Sequence, residues 1–568
     1  MSRLNKRTIT KMSFTYLVGI IWCLSFYIVH GQENVLHFSE QNCSTNNMRQ
    51  TSTIESNTIM INNCSLKTLP KVIFGYYTTT LSIYNTDLEV IESSALDGLK
   101  GLQVLSLHRN HVTKISSWSN HDLIYLHKLD IHHNKIQTIS QNAFQRYPNL
   151  ETINLSINNL TNIPANIFKY TPRLRILNLA KNHLRRIEGF TFNELAELTH
   201  ISLEHNDIDF VENFAFVNNA KLKSIRLDFN KIVNFDTLIL SNCPQLAYLN
   251  LSHNALTAIY EHTFKDNVQL HLLDISGNKI TEFTENSFRG LSQLEIFNAS
   301  NNLLDTLHPY TFHSFVNLKL FDASSNKLTY LFDGMLDYLS TVKHINLSHN
   351  AIDGIETNVF SEMTSIETID LSYNKLSNDS FLDGITELKT LIMAYNQFEY
   401  LNLSKLVDVD EVDVIGNPWN CTWLVVEMMR CSNGIRFGND FSIEMEEQVL
   451  TVPGIDCVDE SGNNRSIVML QQSSMQKVEK ILNETPAYHQ QNKLLKRMLA
   501  NEFGYKACLI WTAIAVIVVF GSVHLGKIVL KKSEKRSERY RMSQQVLITT
   551  TPTTANSERF SESKLIFR

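Results

Sequence analysis

The 568-residue sequence lacks the short motifs that would indicate an enzyme. It contains no Gly-x-Ser-x-Gly nucleophile elbow, no phosphate-binding loop and no His-Glu-x-x-His zinc helix. Ser, His and Asp recur throughout the chain, so finding them together carries no catalytic information. Cysteine is scarce, with 8 residues in the whole chain. We therefore expect neither catalytic activity nor a bound cofactor.

Net positive charge is missing from the body of the chain. The formal charge is +4 over the first 11 residues and +6 over residues 527–568, against −16 for the stretch between them. Nucleic-acid binding depends on neutralising phosphates with Lys and Arg. The acidic body of the chain therefore argues against nucleic acid as a bulk partner.

A ladder of asparagines with a constant spacing organises the sequence. Twelve of them stand 24 residues apart without interruption, and two more follow at spacings of 22 and 21. The ladder consists of Asn110, Asn134, Asn158, Asn182, Asn206, Asn230, Asn254, Asn278, Asn302, Asn326, Asn350, Asn374, Asn396 and Asn417. A fixed period of this length indicates stacked structural repeats.

A pattern of apolar residues precedes each asparagine, as in Leu102, Leu105 and Leu107 before Asn110. The pattern L-x-x-L-x-L-x-x-N is that of leucine-rich repeats. We number each repeat so that the asparagine is position 9. Positions 4 and 6 then point inward from a short strand, while positions 3, 5 and 7 face outward. The sequence predicts an α/β solenoid, a horseshoe of about sixteen repeats with a parallel concave sheet.

A second ladder has the same period on the opposite side of each repeat. It predicts a buried spine of phenylalanines, with Leu240 and Leu336 filling its two gaps. The spine consists of Phe144, Phe168, Phe192, Phe216, Phe264, Phe288, Phe312 and Phe360.

The cysteines predict caps at both ends of the repeats. We assign an N-terminal cap and first repeat to residues 32–70 with a Cys43–Cys64 disulfide, repeats to 71–417, and a C-terminal cap to 418–466 with a Cys421–Cys457 disulfide. Cys243 occupies a core position, which predicts a buried free thiol. Cys431 either joins a second chain, replaces Cys421 as the partner of Cys457, or stays reduced.

The two ends of the chain predict a type I plasma-membrane protein. Residues 1–31 have the pattern of a signal peptide, the alternative being an uncleaved anchor. Residues 467–506 form a stalk or a self-association helix. Residues 507–526 contain no charged side chain and are long enough to span a bilayer as a helix. Lysines and arginines follow, so the polar tail at 527–568 is expected to be disordered and cytosolic.

N-glycosylation sequons support this topology, because all twelve precede the predicted membrane helix. Four of them occupy position 5, on the expected concave face. The sequons begin at Asn42, Asn63, Asn154, Asn159, Asn250, Asn298, Asn346, Asn378, Asn402, Asn420, Asn464 and Asn483.

The concave face carries two kinds of candidate contact. Varied polar groups in the earlier repeats favour specific recognition, and an apolar row at position 3 either marks a partner site or simply covers the sheet. The polar candidates are His108, Lys128, His132, His200, Glu204, Arg226 and Asp228, and the apolar ones are Tyr248, Leu272, Ile296 and Leu320. His108 and His132 share position 7 in successive repeats; solvated surface histidines are favoured over a metal or pH-sensing site.

Over residues 43–457 the chain resembles extracellular leucine-rich-repeat receptors. The resemblance rests on the Asn and Phe ladders, on Cys64 at the start of the repeats, and on the cap sequence Asn417-Pro418-Trp419-Asn420-Cys421. The resemblance is to Toll-type ectodomains and the transmembrane leucine-rich immune proteins of insects. It implies a recognition component or co-receptor of immunity that binds protein or glycan ligands, and it allows homo- or heterodimers. The alternative is an adhesion protein of development or the nervous system. Trp423 replaces the second cysteine of the usual cap, and we expect no intracellular Toll domain.

Overall fold

The computed structural model describes residues 35–39, 57–71, 77–385, 388–406 and 409–420, and short strands at 436–437, 456–458 and 464–466. The predicted signal peptide, stalk, membrane helix and tail lie outside these residues, as do Cys43, Cys421, Cys431, Asn42 and Asn483. Within them, no helix is both long and apolar enough to cross a membrane.

The chain divides into two compact units, of which the first comprises residues 1–280 and 286–294. Its described part is a ladder of parallel strands, in which each strand pairs with the corresponding strand of the next repeat. The strands are Val35–Phe38, Thr58–Asn62, Thr80–Tyr84, Val104–Ser106, Lys128–Asp130, Thr152–Asn154, Ile176–Asn178, His200–Ser202, Ser224–Arg226, Tyr248–Asn250 and Leu272–Asp274.

Some repeats of this unit add a two-residue strand on the other side of the coil. These short strands also pair in parallel between neighbouring repeats. The pairs are Thr68–Leu69 with Val90–Ile91, Lys114–Ile115 with Thr138–Ile139, and Arg186–Ile187 with Phe210–Val211.

The second unit comprises residues 281–285 and 295–568. Its parallel strands follow the same repeat. They are Ile296–Asn298, Leu320–Asp322, His344–Asn346, Thr368–Asp370, Thr390–Ile392, Glu411–Asp413 and Arg436–Phe437, with Tyr330–Leu331 paired to Gly354–Ile355 on the other side.

At the end of this unit Trp419–Asn420 pairs with Asp456–Val458, which pairs in turn with Asn464–Ser466. This places Asn420 beside Val458, the neighbours in sequence of Cys421 and Cys457. The predicted cap disulfides remain predictions.

The α part of the predicted α/β solenoid is wrong for the described residues. They form a parallel β-solenoid of about 15 coils, with 3₁₀ helices at Ser380–Gly384 and Leu403–Leu406 and no α-helix. The segments opposite the sheet are closed by single turns, such as Ala143 N–H to Ser140 C=O and Tyr147 N–H to Phe144 C=O. One or two turns are too short to nucleate an α-helix.

The two ladders predicted from the sequence are confirmed. Nearly all repeat asparagines donate their side-chain N–H groups to carbonyls of their own and the preceding repeat, as Asn158 does to Leu155 and Ile131. All eight spine phenylalanines are buried, at 0–2% exposure, and neighbouring rings stack, as Phe192 and Phe216 do with centroids 5.4 Å apart. Cys243 is a buried free thiol, as predicted, and burial raises its pKa to about 12.

Candidate ligand-binding face

Positions 3, 5 and 7 of the repeats form what we call the open face of the sheet. In strand Lys128–Asp130, for example, Leu129 is fully buried, while Lys128 is exposed and Asp130 is half-buried. The same alternation recurs in most strands, because side chains of a strand point to opposite faces in turn. The predicted contact residues lie on this face.

The structure brings the polar candidates of the first unit together in two groups rather than one. His108, Lys128 and His132 lie on or directly after two paired strands, Val104–Ser106 and Lys128–Asp130. The second group begins at strand His200–Ser202, and strands Thr152–Asn154 and Ile176–Asn178 lie between. At about 4.8 Å per strand, the groups lie about 14 Å apart.

The second group centres on Arg226, which lies between two carboxylates. Its Nη1 is 3.2 Å from Glu204 Oε1 in the preceding repeat, and its Nη2 is 3.4 Å from Asp228 Oδ2 in its own repeat. The carboxylate side chains are only 10% and 4% exposed, whereas that of Arg226 is 43% exposed. Lys128 and His200 are exposed and belong to neither ion pair.

Burial shapes the electrostatics of this cluster. It raises the pKa of Glu204 above its ordinary value, although Arg226 opposes the shift. Burial alone would lower the pKa of Arg226, but the charges of Glu204 and Asp228 outweigh it, so this pKa lies above the usual range. The arginine therefore stays charged between two carboxylates.

The cluster retains unused hydrogen-bonding capacity. Glu204 Oε2, Asp228 Oδ1 and Arg226 Nε are buried and have no hydrogen-bond partner among the described residues. Buried polar atoms of folded proteins are nearly always paired. These three atoms are therefore uncompensated polar groups, and the half-exposed Arg226 side chain is the member of the cluster that faces solvent.

The predicted apolar row borders the cluster in the first unit. Tyr248 pairs with Ser224 on one side and Leu272 on the other, and both Tyr248 and Leu272 are half-buried. In the second unit Ile296 pairs with Leu320, and Ile296 is 37% exposed. Partial burial of these side chains agrees with the sheet-covering interpretation and leaves apolar surface beside the ion pairs.

The serines that fill position 7 from Ser252 to Ser372 are held in place locally. The Ser276 hydroxyl donates to Asp274 Oδ1 at 2.6 Å, and the Ser276 backbone N–H donates to the same oxygen. Ser324 and Ser372 use their neighbouring Asp in the same way through the backbone N–H. Burial raises the pKa of Asp274 and Asp322 above ordinary values, and these hydrogen bonds oppose the shift.

The histidine group contains a carboxylate that sequence reasoning missed. The rings of His108 and His132 stack with centroids 4.9 Å apart and planes 2° apart, and Tyr84 stacks on the other side of His108. His132 Nδ1 lies 2.7 Å from Asp130 Oδ1. Burial and the neighbouring His132 lower the pKa of His108. The missed signal is an acid two residues before a position-7 histidine.

Histidines also recur at position 8 of the repeats, and an aromatic ring stacks between two of them. Phe229 stacks between His205 and His253, with centroid distances of 4.4 and 4.2 Å. All three residues have left-handed backbone angles, with φ of 53–55°. Gly277 follows at the same position, where a Cβ would come within 2.8 Å of His253 Nδ1. The histidines are therefore parts of a ring stack.

The described sequons differ in exposure. Asn63, Asn159, Asn378 and Asn402 are exposed. The position-5 asparagines Asn154, Asn298 and Asn346 are half-buried, and Asn250 is only 8% exposed. Asn420 is half-buried. The exposed sequons are thus more accessible in the folded chain than those on the open face.

These features define a leucine-rich-repeat solenoid whose open face carries polar and charged side chains. The family model for BspA-type leucine-rich repeat regions matches residues 161–295 in six copies. A second leucine-rich-repeat model matches residues 124–184, 268–328 and 317–376. No curated protein matches the sequence.

Solved structures share the fold at low sequence identity. A chain of the Toll–Spatzle complex of Drosophila is 16% identical with a TM-score of 0.60, the match covering 78% of this chain and 67% of that one. A chain of the LRIM1/APL1C complex is 19% identical with a TM-score of 0.54, covering 80% of both chains. A leucine-rich-repeat protein of Leptospira interrogans is 20% identical with a TM-score of 0.52, covering 72% of this chain and 96% of that one.

Proposed function

We propose that this chain is a single-pass cell-surface glycoprotein that recognises protein or glycan ligands as a component or co-receptor of innate immunity. The observation that carries this proposal is the cluster of Glu204, Arg226 and Asp228 on the open face. Charged groups with free hydrogen-bonding atoms, set beside apolar surface, are the usual centre of a binding site.

The chemistry of the cluster sets the kind of contact that a ligand makes. The two carboxylates outnumber the single guanidinium, and one buried oxygen of each carboxylate has no hydrogen-bond partner among the described residues, so a ligand that displaces Arg226 would reach them. A lysine or arginine of a protein, or the hydroxyl groups of a glycan, supply the missing donors. Tyr248 and Leu272 offer adjoining surface for an apolar or sugar-ring contact.

Two of the similar structures are complexes that support this role by analogy. The Toll–Spatzle structure is described as a hub in development and innate immunity, and LRIM1 and APL1C form a complex with each other. Leucine-rich-repeat solenoids typically act in protein interaction and recognition rather than catalysis. A recognition role for this chain rests on that analogy together with the cluster.

The test uses cells that display the full-length chain. They are incubated with fluorescent peptidoglycan, β-1,3-glucan and lipopolysaccharide, and with a displayed library of secreted proteins. We expect at least one of these probes to bind, and binding to weaken at least about tenfold in a Glu204→Gln, Asp228→Asn double variant, which keeps the side-chain shapes and removes two charges.

The matched control is a Glu197→Gln, Lys221→Gln variant, which breaks an exposed 2.6 Å ion pair outside the sheet strands. Its binding should equal that of the unmodified chain. Ligand binding that the Glu204 and Asp228 changes leave intact would refute the assignment of the site. Aggregation of the displaying cells with no probe bound would favour the adhesion function instead.

A further inference from the structure

Three side chains of the first unit bring metal-ligand atoms together on the open face. His108, Asp130 and His132 each offer one ligand atom, and these atoms all lie within 4.8 Å of one another. The described residues contain no other group of three or more His, Cys, Asp or Glu side chains arranged in this way. The group lies on different strands from the Glu204–Arg226–Asp228 cluster.

The backbone holds the three side chains in place. Asp130 ends the strand Lys128–Asp130, and His132 follows it at position 7 of the same repeat. His108 occupies position 7 of the preceding repeat, whose strand Val104–Ser106 pairs with that of Asp130. Successive strands of a sheet lie about 4.8 Å apart, which is why the two rings stack at 4.9 Å.

We propose that His108, Asp130 and His132 form a binding site for a divalent transition-metal ion, with Zn²⁺ as the best-fitting ion. Two imidazoles and a carboxylate suit zinc, copper and nickel, whereas calcium and magnesium prefer sets of oxygen ligands. Zinc sites that remain accessible to solvent have three protein ligands and a water molecule in the fourth position.

Metal binding requires a local rearrangement of these side chains. Ligand atoms of a tetrahedral zinc site with bonds of 2.0–2.1 Å lie about 3.3 Å apart. Asp130 Oδ1 and His132 Nδ1 are 2.7 Å apart because they are hydrogen-bonded, so a bound ion would replace the proton between them and separate the two atoms to about 3.3 Å. The ligand atom of His108 starts up to 4.8 Å from the others and must approach by up to about 1.5 Å; because an imidazole binds a metal in its ring plane, the His132 ring must also rotate out of its parallel stack with His108. The side chains of His132 and Asp130 are 26% and 17% exposed, so an ion reaches them from solvent.

Neighbouring groups orient the ligands. Ser106 Oγ lies 2.8 Å from His108 Nδ1 and fixes the plane of that ring. Tyr84 stacks on the other side of His108 with planes 6° apart. Such supporting contacts commonly raise metal affinity by fixing the orientation of a ligating ring.

The experiment titrates Zn²⁺ into the purified full-length chain, which is treated with a chelator beforehand and carries no histidine tag. Calorimetry is expected to show one site per chain. His108→Gln, His132→Gln and Asp130→Asn should each weaken that site by at least about tenfold, since even loss of a supporting contact to a metal ligand costs 10–100-fold. Zn²⁺ should also raise the thermal midpoint of the unmodified chain and have little effect on the variants.

The matched control is His183→Gln. His183 also approaches a carboxylate, with its Nδ1 3.3 Å from Asp207 Oδ2, but it does not belong to the three-ligand group. Its zinc affinity should equal that of the unmodified chain. Zinc binding weaker than about 1 mM, binding that none of the three ligand variants weakens, or equal weakening in the control would each overturn the proposal. The recognition test above is independent, because it alters only Glu204 and Asp228.

Discussion

The side-chain nitrogen of Asn134 donates a 2.8 Å hydrogen bond to the carbonyl oxygen of Leu107, 27 residues earlier in the chain. The side-chain oxygen of the same residue accepts a hydrogen bond from the Val112 N–H at 3.0 Å. Both contacts are buried. The repeat asparagine therefore links its own repeat to the preceding one, which explains why it recurs once in every repeat.

Asn134→Ala should lower the free energy of unfolding by about 1–3 kcal/mol, because it leaves the buried Val112 N–H unpaired and removes one of the two side-chain hydrogen bonds to the Leu107 carbonyl. Urea unfolding followed by circular dichroism measures the loss. The control is Asn149→Ala, which removes an exposed 2.7 Å hydrogen bond to Ile124. It should cost less than about 1 kcal/mol because water replaces the contact. Equal losses would contradict the role given to the ladder.

Phe216→Ala should cost about 3–5 kcal/mol, because this ring is 0% exposed and its removal leaves a cavity in the spine. Phe210→Ala serves as the control. Its ring is 41% exposed and lies under the Arg186 guanidinium at 4.8 Å. We expect a loss below about 1 kcal/mol there. Chemical denaturation measures the unfolding free energy of both variants. A Phe216→Ala protein as stable as the Phe210→Ala control would contradict the burial of the phenylalanine spine.

Gly277→Ala should destabilise the chain by about 1–3 kcal/mol. The backbone φ of Gly277 is +65°, where an L side chain is strained, and the new Cβ would lie 2.8 Å from His253 Nδ1. In a His253→Ala background only the backbone strain remains. The cost of the glycine change should therefore shrink by about 1 kcal/mol. Strictly additive losses in this double-mutant cycle would show that the ring does not press on Gly277.

Asp274→Asn should stabilise the chain increasingly as the pH rises. Burial raises the pKa of Asp274 in the folded state above 3.8, so the folded state favours the protonated acid. Stability is therefore highest below the unfolded pKa and is lost as the pH rises through the folded pKa. Asparagine keeps the hydrogen bonds, since Asn154 accepts from Ser156 in the same way.

The measurement compares the unfolding free energies of the two proteins between about pH 3 and pH 7. N-glycosylation is blocked in both proteins, because the change creates an Asn-Ile-Ser sequon with Ile275 and Ser276. The curves should meet at the acid end and separate toward neutral pH, with the variant above. A constant difference across the range would rule out the titration of Asp274 as the cause.

Much of the fold was predictable because every repeat buries its apolar residues at the same positions. Leu105 and Leu129, both position-4 residues, are fully buried, as period-2 alternation requires. The lack of α-helix opposite the sheet in the described residues was not predictable from the motif, because only the tertiary structure shows that these segments close with single turns. Of the candidate site, Glu204, Arg226 and Asp228 were identified from the variety of side chains at positions 5 and 7.

The sequence alone established the repeat, its register, the inward and outward positions and the phenylalanine spine, because a strict 24-residue period repeats one local solution along the chain. Contacts between repeats depended on the tertiary structure. The stacking of strands about 4.8 Å apart brings together residues separated by 22 to 24 positions in sequence. That spacing places Arg226 between Glu204 and Asp228, Asp130 beside His132 and near His108, and Phe229 between two histidines.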